Sequence, residues 1–123
     1  MSEADRDLYR QAAEIAARAY APYSRFFVGA AVLARDGRVF LGVNVENAAY
    51  PLGVCAEKTA LTRAVTDGCR PGDFEAIAIT ASPCGGCRQW LRELRIDRVL
   101  YANAAGELVE STPSELLPDT FEL

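Results

Sequence analysis

Histidine is absent from the chain, and that absence removes the commonest general base, the Ser-His-Asp triad and every imidazole metal ligand. Any metal must rest on cysteine, aspartate or glutamate. A long apolar run is also missing. The longest, Phe26 to Ala34, is too short to span a bilayer, and the N-terminus is polar and acidic, with no basic region leading into a hydrophobic segment. These features predict a cytoplasmic protein with no membrane partner. Basic charge is in deficit, with 13 Lys and Arg against 17 Asp and Glu. That balance leaves no electrostatic footprint for a phosphate backbone, so a small or neutral ligand is expected and nucleic acid is not. Internal repeats, low-complexity segments and domain linkers are lacking too. The 123 residues, half of them hydrophobic, predict a single domain over 1–123 that buries roughly two-thirds of the surface of its unfolded chain.

Four cysteines are present. A disulfide scaffold would need a secretory signal and a core too small to stand alone, and neither is found. The chemistry concentrates in two short segments, Val54-Cys55-Ala56-Glu57-Lys58 and Ser82-Pro83-Cys84-Gly85-Gly86-Cys87-Arg88, each where a loop turns into a helix. Cys84 and Cys87, three apart in a first helical turn, put their sulfurs on one face. The positive end of a helix dipole lowers thiol pKa values and favours the metal-binding thiolate. Cys55 can add a third sulfur from the start of the neighbouring helix, and Glu57, two residues on, can lean over the metal's open position. Three protein ligands and a vacant place make a reactive zinc. Two other readings stay open on spacing alone: a thioredoxin-like CxxC redox site, and a closed structural zinc with Cys69 as fourth ligand.

Periodicity predicts a first helix capped by Ser2 or Asp5, with Leu8, Ala12, Ile15, Ala16 and Ala19 on one face. A buried strand over Phe26–Arg35, a type I′ turn at Asp36-Gly37 and a return strand from Arg38 to about Glu46 follow. Residues 47–54 read as a loop, and a helix from Cys55 ends at Gly68. A strand over Phe74–Thr80, a turn over Ser82–Gly86 and a helix over Cys87–Leu94 that buries Trp90, Leu91 and Leu94 come next. Strands over Arg98–Ala102 and Glu107–Glu110 are joined by a turn, and Thr112-Pro113-Ser114-Glu115 is a capping box opening a short helix. A hairpin followed by alternating helices and strands predicts an α/β fold: three layers, α/β/α, with a mixed five-stranded sheet flanked by helices. Ligands gather at the carboxyl ends of the strands of such a sheet.

The pattern Cys-Ala-Glu followed by Pro-Cys-x-x-Cys matches the three-cysteine form of the zinc-deaminase signature. From about Tyr20 to Phe121 the chain resembles the small-subunit, homotetrameric cytidine deaminases. The likeness is carried by Ala-Pro-Tyr-Ser-Arg-Phe at 21–26, Val-Gly-Ala-Ala at 28–31, Asn-Val-Glu-Asn-Ala at 44–48, Cys-Ala-Glu at 55–57 and Ser-Pro-Cys-Gly-Gly-Cys-Arg-Gln at 82–89. The resemblance implies hydrolytic deamination of cytidine and 2′-deoxycytidine in pyrimidine salvage, with one Zn2+ per subunit on Cys55, Cys84 and Cys87. It makes Glu57 the catalytic acid and base, and the Ala56 N–H a partner of the pyrimidine O2. It puts Asn44 and Glu46 on the ribose hydroxyls, Phe26 against the base, and Tyr50 and Phe121 as aromatics from neighbouring subunits of a homotetramer. Read from the residues alone, Asn44 and Glu46 suit a solvated edge strand and Phe26 a core aromatic. One position departs from the family: Lys58 stands where an arginine is usual. Lysine is a point charge and not a planar fork, so Lys58 is expected to offset thiolate charge while bonding at most one sulfur. A blasticidin S deaminase-like aminohydrolase and a non-catalytic zinc-stabilised module are the alternatives.

Overall fold

Ser2 and Asp5 cap the first helix together. In the computed structural model, which describes Met1–Leu123, α1 (Glu3–Ile15) opens with a reciprocal capping box in which the Ser2 hydroxyl accepts from the Asp5 N–H and the Asp5 carboxylate accepts from the Ser2 N–H. The predicted helical stripe overran its end: Ala16–Arg18 tighten into a 3-10 turn. The strands are β1 (Gly29–Ala34), β2 (Val39–Val43), β3 (Phe74–Ile79), β4 (Arg98–Ala102) and β5 (Leu108–Ser111). The remaining helices are α2 (Ala56–Thr66), α3 (Gly85–Glu93) and α4 (Pro113–Leu116). None is long and apolar enough to cross a membrane.

The sheet has the order β2-β1-β3-β4-β5. β1 pairs antiparallel with β2 and β3, β3 pairs parallel with β4, and β4 antiparallel with β5. β2, β3 and β4 therefore run the same way, and their carboxyl ends share one edge. Period-two alternation sends Ala30, Val32, Phe40, Ile77, Ile79 and Val99 to one face, where they pack with Ala60, Leu61 and Ala64 of α2 and Leu91 of α3. The other face sends Ala31, Ala76, Ala78 and Leu100 against Leu8 and Ala12 of α1. The three-layer mixed sheet expected from the sequence is thus present. Two glycines let the layers approach: a Cβ on Gly29 would stand 1.9 Å from the Ala12 carbonyl oxygen, and one on Gly42 2.4 Å from the Ala60 nitrogen.

Three local expectations are corrected. The hairpin between β1 and β2 is not a type I′ turn. Ala34 and Arg38 close a three-residue loop, with the Gly37 N–H bonded to the Ala34 carbonyl, and only Gly37 takes a positive φ. The first strand begins at Gly29, leaving Phe26 and Phe27 exposed outside the sheet, so Phe26 is not a core aromatic. Gly85, not Cys87, begins α3, with Cys84 as N-cap, and Trp90 is only half-buried.

Asp5 has a second task. Its carboxylate accepts from Arg98 at 2.6 Å and is nearly buried. The Arg98 guanidinium, ahead of the Ser2 bonds, holds the Asp5 carboxyl below its ordinary value, against burial, which opposes this. A depressed carboxyl pKa adds stability that is present above the ordinary value near 4 and lost as pH falls through the folded value. Asp5→Asn therefore costs about 2 kcal/mol at neutral pH, and the deficit relative to wild type narrows as pH falls below the ordinary carboxyl value. Paired thermal or urea unfolding curves across that range check it; a deficit that persists in acid would remove the ion pair as its cause.

Candidate active site

Both cysteine segments arrive at the shared carboxyl edge of the sheet. The loop after β2 ends at Cys55, the N-cap of α2, and the loop after β3 ends at Cys84, the N-cap of α3. Cys84 Sγ accepts from the Cys87 N–H at 3.4 Å, so one sulfur caps the helix that carries the other. The sulfurs of Cys55, Cys84 and Cys87 all lie within 4.8 Å of one another, and Cys55 and Cys84 are 3.8 Å apart. Tetrahedral zinc with Zn–S bonds of about 2.3 Å needs sulfurs about 3.8 Å apart. The donor set fits in type, number and span.

Cys55 and Cys87 differ in their hold on a proton. Hydrogen bonding from Cys87, then from Cys84, with the Lys58 charge, brings the Cys55 thiol down to about 6 against the effect of burial. Cys87, which donates to Cys55 and is itself buried, is pushed upward. Three thiolates side by side call for a cation, and metal binding displaces the remaining protons. The N-termini of α2 and α3 both point positive ends at the cluster, offsetting the net charge of minus one that three thiolates and a divalent ion would carry.

Glu57 follows Cys55 by two residues and is 4% exposed. Burial, the largest influence, and the neighbouring Cys55 both raise its carboxyl pKa. Lys58 is half-buried and its charge is felt at Cys55. Its Nζ lies 3.9 Å from where a Gly86 Cβ would sit, with Cys84 Sγ 4.0 Å from the same point. The ammonium is thus turned toward the cluster, yet it makes no hydrogen bond to a sulfur.

Beside Cys55 a cavity of about 470 Å³ opens, lined among others by Tyr23, Ser24, Asn44, Glu46, Asn47 and Tyr50. Asn44 and Glu46 are brought to it, though both side chains also hold a loop. Asn44 donates to the Phe26 carbonyl at 2.8 Å and accepts from the Val28 N–H at 2.9 Å. Glu46 accepts from the N–H groups of Tyr23 and Ser24 and from the Ser24 hydroxyl. Between those anchors Arg25 sits at φ 57°, a conformation a non-glycine residue keeps only when its surroundings fix it. The role of Ser24 was not visible in the sequence. Its serine-to-glutamate contact spans 22 positions, and only the Pro-Tyr-Ser turn chemistry hinted at it. Ala56 is fully buried at the first position of α2, where its N–H has no partner within the helix. Phe26 is 61%, Tyr50 91% and Phe121 76% exposed. Of these three, only Tyr50 lines the cavity, and Phe121 lies in the tail beyond α4.

The chain matches the model of the cytidine and deoxycytidylate deaminase zinc-binding region over residues 2–103. It belongs to that family. A cytidine deaminase of Halalkalibacterium halodurans is 47% identical over 122 residues, covering 93% of this chain and 91% of that protein. The crystal structure of a cytidine deaminase from Burkholderia pseudomallei superposes with a TM-score of 0.89 at 44% identity, covering 98% and 100% of the two chains. That of the Mycobacterium tuberculosis cytidine deaminase gives 0.81 at 39% identity, covering 96% and 97%. A family zinc-binding region and a three-cysteine group of matching span make zinc the metal of this deaminase domain.

Membership decides between the readings left open. All four cysteines are free thiols, so no disulfide braces the fold. A closed four-sulfur cage is excluded, because Cys69 lies past the far end of α2, about 16 Å along the helix from Cys55. There it is 2% exposed, packs in the core, and receives an Arg38 contact at 3.6 Å. Cys69→Ser accordingly keeps its full metal complement while losing about 1–3 kcal/mol of stability from a hydroxyl in an apolar setting. Metal analysis beside thermal unfolding checks this, and loss of zinc from the folded variant would reopen the cage.

Proposed function

We propose that this enzyme hydrolyses the exocyclic amine of cytidine and 2′-deoxycytidine, giving uridine, 2′-deoxyuridine and ammonia, as a cytoplasmic pyrimidine-salvage homotetramer. The observation that carries the reading is the buried Glu57 carboxyl next to the three-sulfur group at the rim of a cavity. Cys55, Cys84 and Cys87 would hold the zinc, which would supply Lewis acidity toward a water. Glu57 takes one proton from the water as its oxygen bonds C4 and delivers that proton to ring N3; it then takes the second proton from the same oxygen and delivers it to the exocyclic nitrogen, which leaves as ammonia when the C4–N bond breaks. Burial raises the Glu57 carboxyl, which brings it closer to the range a group that both takes and gives protons needs. The free Ala56 N–H is suited to the pyrimidine O2, and exposed Phe26 to the face of the base.

Asn44 and Glu46 keep capacity for ribose hydroxyls beyond the loop they hold. Glu46 accepts from three donors, while a carboxylate offers about four acceptor sites. No lysine or arginine lines the cavity, which favours a nucleoside over a nucleotide phosphate. Lys58 offsets thiolate charge. Tyr50 and Phe121, large aromatics left in solvent by a single chain, are assigned to neighbouring subunits' sites in the tetramer.

The test is incubation of the zinc-loaded protein with cytidine, deoxycytidine, deoxycytidylate and blasticidin S, followed by loss of ultraviolet absorbance, beside the solution mass. Turnover of both nucleosides with deoxycytidylate slower by at least about tenfold is expected. Preference for blasticidin S or deoxycytidylate would overturn the substrate assignment, and a monomeric mass the assembly.

A further inference from the structure

The loop that presents Cys84 is gripped by one side chain that plays no part in binding metal. Arg88 lies on α3 and its guanidinium spends its donors on three acceptors in two separate pieces of chain. Nε donates to the Pro83 carbonyl at 2.8 Å, Nη2 to the Ser82 hydroxyl at 3.3 Å, and Nη1 to the Leu116 carbonyl at 3.0 Å. Its backbone N–H bonds the Cys84 carbonyl at 3.0 Å. Arg88 thus holds the peptide units on both sides of Cys84. Its third arm ties them to the last carbonyls of α4, which a four-residue helix cannot satisfy internally.

We propose that Arg88 is a positioning residue for the metal centre: its three-armed hold fixes the Cys84 loop against α3 and α4, and so sets the span between Cys84 and the other two sulfurs. Cys84 needs such a hold. It is the exposed member of the cysteine group, whereas Cys87 is buried within a helix and Cys55 half-buried. Pro83 removes the N–H through which the loop could otherwise be anchored. A planar guanidinium reaches three diverging acceptors at once, and a lysine ammonium at the same position does not.

Arg92, one turn further along α3, is a matched control. It too straps the C-terminal segment, donating to the Ser114 and Thr120 hydroxyls, but it makes no hydrogen bond to residues 82–84. Arg88→Met, Arg88→Lys and Arg92→Met are compared as purified, metal-loaded proteins. Zinc release to a chelator gives the first readout and the thiolate-to-cobalt absorption of the cobalt-substituted proteins the second. Arg88→Met is expected to release zinc about 10- to 100-fold faster than wild type with a shifted cobalt spectrum. Arg88→Lys should fall between the two, and Arg92→Met should match wild type in both readouts even where it melts lower. A wild-type release rate and cobalt spectrum in Arg88→Met overturns the proposal, as does equal acceleration in Arg92→Met, which would assign the effect to the C-terminal segment. Should Arg88→Met not fold, a wild-type rate and spectrum in Arg88→Lys overturns it. The inference rests on the three-cysteine metal site, and the two can fail separately. Wild-type protein that takes up no metal defeats the site, whereas loaded wild type beside an unaltered variant defeats only the role of Arg88.

Discussion

Glu57→Gln is expected to bind zinc at the wild-type stoichiometry and to turn over cytidine at least about 1,000-fold more slowly, a barrier increase of about 4 kcal/mol. The amide has the shape of the carboxyl, and at 4% exposure shape is what the surrounding core requires. Glutamine cannot carry a proton from water to ring N3, so the chemistry fails while the architecture stands. The stability effect has its own sign. Burial raises the Glu57 carboxyl, so in the metal-free protein its ionised form opposes folding increasingly as pH rises from the ordinary carboxyl value through the folded one. A neutral amide lacks that opposition, and the metal-free variant should melt no lower than metal-free wild type at neutral pH. Steady-state rates, metal analysis and melting curves on one preparation test the three statements together. A folded, zinc-replete Glu57→Gln protein with wild-type turnover would remove Glu57 from the mechanism.

What the sequence revealed of this site divides along a physical line. Cys55, Glu57, Cys84 and Cys87 were legible because helix starts are local events: a loop residue that caps, followed by good helix formers, puts its neighbours at known offsets on one face. The α/β/α layering was legible for a related reason, since strand alternation and helical stripes are each written within a few residues. The contacts that shape the rim were not. Glu46 to Ser24 and Asn44 to Phe26 join segments about 20 positions apart, and no local period encodes which acceptor meets which donor. Phe26 misled for the same reason. A run of nine apolar residues reads as a buried strand, and only the partners supplied by β2 and β3 fix that pairing begins at Gly29 and leaves the aromatic pair outside. The hold of Arg88 on the Cys84 loop was hidden in the same way, because its third acceptor, Leu116, stands 28 positions later. The Asp36-Gly37 turn failed in a narrower way, because a three-residue loop with one left-handed glycine and a two-residue loop with two left-handed positions share the same signature residues.

Gly42→Ala is expected to remove both stability and metal, and Gly29→Ala stability alone. Each glycine allows a helix to ride closer to the sheet than a methyl group permits, but the helices differ in what they carry. An added Cβ at Gly42 would stand 2.4 Å from the Ala60 nitrogen and 2.6 Å from the Ala56 carbonyl oxygen. These are backbone atoms that cannot rotate away. Relief requires α2 to shift outward, and the turn it pushes on begins at Ala56, directly after Cys55 and before Glu57. Overpacking of this kind costs about 3 kcal/mol, or on the order of 10 °C in melting temperature for a chain of this size. The same displacement pulls Cys55 from a sulfur group whose members must stay within a few tenths of an ångström of tetrahedral spacing. At Gly29 the clash is harder, 1.9 Å from the Ala12 carbonyl oxygen, so the loss of stability should be at least as large. Yet α1 packs on the opposite face of the sheet and holds none of the three sulfurs. Folded Gly29→Ala should therefore keep one zinc per chain and most of its activity at a temperature where Gly42→Ala has lost both. Metal content and turnover of the two variants, measured well below their melting temperatures, decide the matter. If both variants lost zinc in parallel, the metal centre would depend on the stability of the whole sheet and not on the seat of α2.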